Sequence, residues 1–317
     1  MDTLFAISDA ELDQLETEVN TFKVVPRPRD TITELREYHG WTLNKLEVLE
    51  NYFVLYRRVA GGGTYIDAFA GTGRGTSIRN GEQRVRDGSA LIAAKSGAFS
   101  QLHLCEKDSD SIDQLDGSVA TLTERQIDRI NIHNGDCNRI IPGLIDSERL
   151  DSERPCFALL DQDSTQLTWE TIEKLAHWKA YEPPPEGQGR PKRCKVELWI
   201  LFNSHQVVNR IWPSDREKHP MPLGVDALDR MFGQRSVWFD LWEAGASIDA
   251  LVERYKERLY DLGYQYVIPQ LIKDPATGRP QYFMYHATDH PSAISLMRWA
   301  KRNADGYENV QLPGFEI

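Results

Sequence analysis

The chain has 317 residues, 40% of them apolar and including 8 Trp, 12 Tyr and 11 Phe. That suffices for one large α/β domain with an insertion, or for a domain plus a small helical module. A net charge of −11 excludes a protein whose whole surface grips a phosphate backbone, while a local basic groove stays open.

Cys105, Cys137, Cys156 and Cys194 have no C-x-x-C spacing. This excludes a zinc ribbon or a disulfide scaffold and fits a reducing cytosol. The start of the chain is acidic, and no run approaches the ~18 apolar residues of a membrane span. The expectation is a soluble, cytoplasmic chain without a metal site.

In chain order, Ser8-Asp9-Ala10-Glu11 has capping-box spacing and predicts a short helix. The Pro/Arg stretch at Val25-Pro26-Arg27-Pro28-Arg29 breaks that pattern. Leu43, Leu46, Leu49, Phe53, Tyr56 and Val59 then form one helical stripe, stopped by Gly61-Gly62-Gly63. Residues 1–60 therefore read as a helical extension. Strand-like runs follow at 64–69, 102–105, 131–133, 157–160 and 197–202, with helix-compatible segments between most of them, so the pattern predicts βαβ crossovers and a parallel sheet. Residues 74–87 read as an inserted loop and 181–193 as a second, Pro-rich loop.

Strands at 264–272 and 281–287 flank the turn Asp274-Pro275-Ala276-Thr277-Gly278 and should pair antiparallel. Five parallel strands closed by such a hairpin make the seven-stranded sheet of a Rossmann-like class I methyltransferase. Residues 61–203 would be its cofactor-binding core, 204–246 a helical insertion, and 247–317 the C-terminal part of the sheet. A helix over 247–262 carries Leu251, Val252, Tyr255, Leu259 and Leu262 on one stripe, with Gly263 as its stop. Pro291 suits the start of a last helix containing Ile294, Met297 and Arg298.

The first strand closes on Asp67-Ala68-Phe69-Ala70-Gly71-Thr72-Gly73, where glycine permits close backbone approach to a nucleoside-type cofactor. Glu106 follows the second strand and could accept both hydroxyls of a ribose. Asp136, in Asn134-Gly135-Asp136-Cys137, follows the third and could help read an adenine edge. Asp161, in Leu159-Leu160-Asp161-Gln162-Asp163, ends the fourth, beside the place of a reactive methyl. Each acid alone reads as a helix cap or a loop residue. Four in series at strand carboxyl ends lie where open α/β sheets bind ligands. A nicotinamide site is disfavoured, because Gly71-Thr72-Gly73-Arg74-Gly75-Thr76 lacks the third glycine at the fingerprint offset.

Tyr65-Ile66-Asp67-Ala68-Phe69-Ala70-Gly71-Thr72-Gly73-Arg74, then Gly88-Ser89-Ala90-Leu91, resembles the three-Cys-motif partner proteins (TcmP), a bacterial methyltransferase-like family. So do the helix with Lys45, Leu46, Leu49 and Tyr52, and the run Tyr282-Phe283-Met284-Tyr285-His286-Ala287-Thr288-Asp289-His290-Pro291. The N-terminal half is also similar to bacterial large-subunit (23S) ribosomal RNA adenine methyltransferases. These likenesses imply an S-adenosylmethionine site. Lys45, Asp67, Phe69, Ala70, Gly71, Gly73, Ser89, Glu106, Gly135, Asp136 and Asp161 are its expected cofactor residues, with Lys45 reaching the cofactor carboxylate. Asp161 and Asp163 are the expected catalytic acids.

Adenine methyltransferases carry Asp-Pro-Pro-Tyr/Phe at the fourth strand, whereas this chain has Asp161-Gln162-Asp163-Ser164, without proline or ring. Trp169 could stack on a substrate, but its helix-like surroundings favour core packing. Two functions follow: a methyltransferase with nucleic acid as an expected acceptor, or a cofactor-binding subunit of a cysteine-motif protein with little catalysis of its own. Residues 204–246 combine Trp212, Met221, Leu223, Leu228, Met231, Phe232, Trp238, Phe239 and Trp242 with Arg210, Arg216, Lys218, Arg230 and Arg235. Basic residues interleaved with aromatics suggest an acceptor platform; a self-burying cap is the alternative.

Overall fold

The computed structural model describes residues 35–304, apart from 80–81, 186–190, 205–206, 208–210, 214, 216 and 275–276. The helix expected near Ser8, the break at Val25–Arg29, and Arg210 and Arg216 lie outside the described residues.

Helix α1 (Gly40–Ala60) ends on Gly61, whose φ of 64° favours glycine and whose N–H donates to the Arg57 carbonyl. Strand β1 (Thr64–Asp67) follows, then β2 (Arg74–Arg79), β3 (Glu82–Asp87) and α2 (Ser89–Ser96). Next come β4 (Gln101–Glu106), α3 (Ser109–Val119), β5 (Ile130–Asn134), α4 (Cys137–Asp146), β6 (Cys156–Leu160), α5 (Trp169–Trp178) and β7 (Glu197–Phe202). The rest is α6 (Val225–Phe232), α7 (Phe239–Glu243), α8 (Ile248–Asp261), β8 (Tyr266–Lys273), β9 (Pro280–Thr288) and α9 (Pro291–Arg302).

Seven strands form one sheet in the order β5-β4-β1-β6-β7-β9-β8. Pairs among β1, β4, β5, β6 and β7 are parallel, and β9 runs antiparallel to both β7 and β8. This is the class I methyltransferase arrangement, a mostly parallel sheet with a reversed strand near one edge. Both faces are covered. Tyr65, Phe157 and Leu159 join a core with α1, α2 and α9, while Ile66, Ala158 and Leu160 join one with α4, α5 and α8. Side chains alternate between two buried layers, so the strands read as continuous apolar runs.

Two expectations are corrected. Residues 74–87 are not a loop: β2 and β3 pair antiparallel from Arg74↔Asp87 to Arg79↔Glu82, as a ribbon separate from the main sheet. The insertion is not an aromatic platform either. Trp212, Leu228, Met231, Phe232, Trp238 and Trp242 are buried in the same core as β6 and α8. The three indole N–H groups donate inward, to the Ala246 carbonyl (3.0 Å), Asp229 (3.0 Å) and the Pro220 carbonyl (3.0 Å). Met221 and Leu223 are exposed. Arg230 and Arg235 are exposed as well, and Arg235 pairs with Asp229 at 2.8 Å. Rings whose faces are already packed cannot stack on a substrate. Trp169 is also core, edge-on to Tyr255 and beneath the Arg258 guanidinium.

β1 ends on a fully buried carboxylate. Asp67 accepts hydrogen bonds from the Tyr65 hydroxyl (2.9 Å), the Ser89 hydroxyl (2.7 Å) and the Phe69 N–H (3.2 Å). Burial raises its pKa from 3.8 to about 6, against the lowering effect of the Ser89 and Tyr65 hydroxyls. Its folded value lies above its unfolded one, so its contribution favours folding below about pH 4 and is lost as pH rises through about 6.

Two measurements check this architecture. Trp238→Ala should cost about 3–5 kcal/mol, as for other buried large rings, and should shift one cooperative denaturant transition. A separate early transition would show the insertion to be an independent appendage. The stability difference between wild type and Asp67→Asn should shrink by roughly 1 kcal/mol from pH 5 to pH 7. A flat difference would place the titration elsewhere.

Candidate functional site

A cleft of about 830 Å³ opens at the carboxyl ends of β1, β4, β5 and β6. Connections reverse direction around β1 in this sheet order, and open α/β sheets bind ligands at such switch points. Its volume lies within the ~300–1,000 Å³ of small-molecule sites.

One end is built from strand-end acids and bare backbone. Gly71 sits at φ 58°, and a Cβ added there would meet nothing within 4 Å, so a side chain would fill the cradle that glycine leaves open. Its N–H donates to Glu106 Oε2 at 2.9 Å, while the Lys107 and Asp108 N–H groups donate to Oε1 at 2.8 and 2.9 Å. Three backbone donors thus fix this carboxylate and leave one acceptor site, on Oε2. Next to it, Asp136 caps α4 through the Asn138 N–H (3.0 Å) and meets Lys107 Nζ at 3.3 Å. Burial pushes the Asp136 pKa up, but the Asn138 N–H and the Lys107 ammonium outweigh that and hold it below the ordinary carboxylate range. Gly135 turns the chain at φ 152°, its N–H donating to the Glu106 carbonyl at 2.8 Å.

The other end belongs to β6 and α1. Lys45 Nζ and the Asp161 carboxylate form an ion pair, their side chains 9% and 19% exposed. Lys45, expected to reach a cofactor carboxylate, is here joined to the expected catalytic acid instead. Gln162 is buried, its amide donating to the Leu201 carbonyl (3.1 Å) and accepting from the Leu167 N–H (2.8 Å), so it braces the loop after β6. Asp163 stands at the rim, 72% exposed and 3.7 Å from Arg36, while its backbone carbonyl accepts from Asn203 Nδ2 at 2.8 Å.

Lys45, Phe69, Ala70, Gly71, Ser89, Glu106, Gly135, Asp136, Asp161 and Asp163 all line this one cleft. Asp67 and Gly73 do not. Asp67 lies beneath the floor, where it orients the Ser89 hydroxyl. Gly73 (φ 73°) is a packing position, since a Cβ there would come within about 3 Å of Leu91, Leu115 and Ser118.

Sequence reasoning missed the wall formed by Tyr38, His39, Trp41 and Tyr282. His39 and Trp41 stack, with ring centroids 4.6 Å apart and an interplanar angle of 29°. The Tyr282 hydroxyl donates to the Trp41 carbonyl at 3.2 Å, and burial first, then the Asp161 charge, raises its pKa. One signal was available: Trp41 stands four residues before Lys45 on a helix, hence on the same face.

Among the described residues, no helix is long and apolar enough to cross a membrane. No group of three His, Cys, Asp or Glu side chains gathers there to hold a metal ion.

The chain matches no family model and no curated protein. Solved structures do resemble it. The LPL1258 protein of Legionella pneumophila superposes with a TM-score of 0.51 at 11% identity, covering 85% of this chain and 92% of that one. P. horikoshii TYW2, solved with MeSAdo, gives a TM-score of 0.39 at 13% identity over 81% of this chain and 66% of that one. The methyltransferase domain of bacterial CtHen1-C gives 0.38 at 14% identity, over 77% and 98%. At these identities the likeness is one of fold.

Proposed function

We propose that the protein is an S-adenosylmethionine-dependent methyltransferase whose acceptor is a planar base of a nucleic acid. The observation that carries this reading is one cleft that brings Glu106 and Asp136, the acids after β4 and β5, to one end and the Lys45–Asp161 pair beside stacked rings to the other. The cradle fits the cofactor: the bare Gly71 leaves room for it, and the remaining Glu106 acceptor site suits one ribose hydroxyl. Bound there, S-adenosylmethionine would supply an electrophilic methyl group.

This chain's own residues would hold and orient the acceptor. The His39–Trp41 stack presents aromatic surface where Asp161-Gln162-Asp163-Ser164 has none. Asp161 would accept a hydrogen bond from the acceptor N–H and take the proton that the nitrogen loses as its lone pair displaces sulfur from the methyl carbon, the carbon–sulfur electron pair leaving with a neutral thioether. Lys45 holds the Asp161 carboxylate in place, and Gln162 fixes the loop behind it. Most of the rate advantage would then come from positioning. The resemblance to three-Cys-motif partner proteins adds an expected companion, a cysteine-motif protein.

Glu106→Ala should weaken cofactor binding by calorimetry by about 1.5–3 kcal/mol, the range for hydrogen bonds to a charged group. Asp161→Ala should instead slow transfer of labelled methyl into cell-extract nucleic acid by roughly 100-fold or more, the lower end for a lost general base, with a much smaller effect on cofactor affinity. Label that resists nucleases but not protease would move the acceptor to protein. Cofactor binding without transfer into any fraction, even with the cysteine-motif companion added, would favour the cofactor-binding subunit.

A further inference from the structure

The β2–β3 ribbon interrupts the chain between the glycine loop and α2, where the sheet needs only a short turn. It is firmly mounted. At its base Asp87 meets Arg74 Nε at 3.5 Å and Lys95 Nζ at 2.6 Å, and Arg74 Nη2 donates to the Thr121 hydroxyl at 2.6 Å. The Gly88 N–H donates to the Gly73 carbonyl at 2.7 Å, tying the end of the ribbon to the loop before it. Residues 36–38 add to its open edge: the Thr76 N–H donates to the Arg36 carbonyl (2.8 Å) and the Tyr38 N–H to the Thr76 carbonyl (2.6 Å).

Register connects this ribbon to the cleft. Gly75 faces Arg86 and Ser77 faces Arg84, and directly opposed residues share a face. A Cβ at Gly75 would come within 2.5 Å of the Tyr38 ring, so this ring lies on the same face, and Tyr38 also lines the cleft. Arg84 and Arg86 therefore continue outward from the cleft wall. Arg86 is exposed, and among the described residues no acid pairs with it. Arg84 (62% exposed) pairs with Glu82 at 2.8 Å, and Arg36 (70% exposed) with Asp163 at 3.7 Å. Exposed ion pairs are weak and readily exchange partners.

We propose that this ribbon is a phosphodiester-binding arm, in which Arg36, Arg84 and Arg86 take the backbone of a single-stranded nucleic acid and lead one base to the His39–Trp41 stack. The inference rests on the nucleic-acid reading of the acceptor and gives that acceptor its entry path. On a molecule of net charge −11, guanidiniums spaced two residues apart along a strand match a regularly charged polyanion. The buried ion cluster at the base of the arm keeps it in fixed relation to the glycine loop.

The test uses the full chain and fluorescein-labelled 30-nucleotide single strands of one sequence, as RNA and as DNA, followed by anisotropy across a salt series. Arg84→Ala with Arg86→Ala should weaken binding about tenfold or more and flatten the log–log salt slope by about 1.4, at ~0.7 per phosphate contact. Cofactor affinity and melting temperature should not move. Arg84→Lys with Arg86→Lys should keep most of the binding, and the tighter of the two probes identifies the source of the backbone. If the wild type binds a strand and the Ala pair binds it equally with the same slope, the arm is wrong while the nucleic-acid reading stands. If the wild type binds neither strand at low salt, both fall. Tighter binding of poly-glutamate than of either strand would overturn the assigned occupant.

Discussion

Asp67 sits where strand, glycine loop and first crossover helix meet, and its carboxylate is the fixed point for all three. A buried carboxylate is costly unless its oxygens are hydrogen-bonded. Here the donors come from β1 itself (Tyr65), from the loop backbone (Phe69) and from the first turn of α2 (Ser89). Satisfying this one group sets where β1 turns, how the loop through Gly71 begins, and how α2 approaches. The next contact outward is Gly71 to Glu106, which carries the loop position across to the end of β4. The Glu106 end of the cleft is thus an extension of a buried polar knot, and Asp67 acts on it from beneath.

The strands were legible because burial on both faces leaves near-continuous apolar runs such as Phe157-Ala158-Leu159-Leu160 and Leu198-Trp199-Ile200-Leu201, which few other structures need. Helix α8 was legible down to its ends, Ser247 before it and Gly263 (φ 83°) after it. The β2–β3 ribbon was not, although Asn80-Gly81 between short alternating runs is a hairpin signal. Its strands carry four arginines and only two aliphatic residues, Ile78 and Val85, because one face looks to solvent and the ribbon makes no core of its own. The insertion failed for the opposite reason. Tryptophans among arginines look alike in sequence whether the rings face a ligand or each other, and the inward-donating indoles of Trp212, Trp238 and Trp242 appear only in three dimensions.

The acids of the site were legible as a series because each follows a strand, and strand ends converge in a parallel sheet. Their partners were not. That Lys45 meets Asp161 is a contact across 116 residues, set by how α1 lies on the sheet and by nothing local to either residue. The same holds for the His39–Trp41 wall, which enters the cleft only because α1 is delivered there.

What delivers α1 is a second buried polar group. The Tyr52 hydroxyl, in the middle of that helix, donates to Glu197 at the start of β7, and His286 Nε2 of β9 meets the same carboxylate oxygen at 2.7 Å. Two contacts fix the helix on either side: Asn51 Nδ2 to the Ala300 carbonyl (3.2 Å) and the Tyr282 hydroxyl to the Trp41 carbonyl (3.2 Å). Apolar packing of Leu49, Phe53 and Tyr56 would hold α1 against the sheet, but such contacts tolerate small slides and rotations. A buried carboxylate that must keep its donors tolerates them far less, because leaving a buried polar group without its partner costs ~1–3 kcal/mol, and more when the group is charged. From Tyr52 to Lys45 is about two helical turns, or ~10 Å. A helix that cannot slide at Tyr52 cannot move Lys45 off Asp161 or Trp41 off the cleft wall. The Lys45–Asp161 end of the cleft is therefore set by a hydrogen-bond cluster deep in the sheet, as the Glu106 end is set by Asp67.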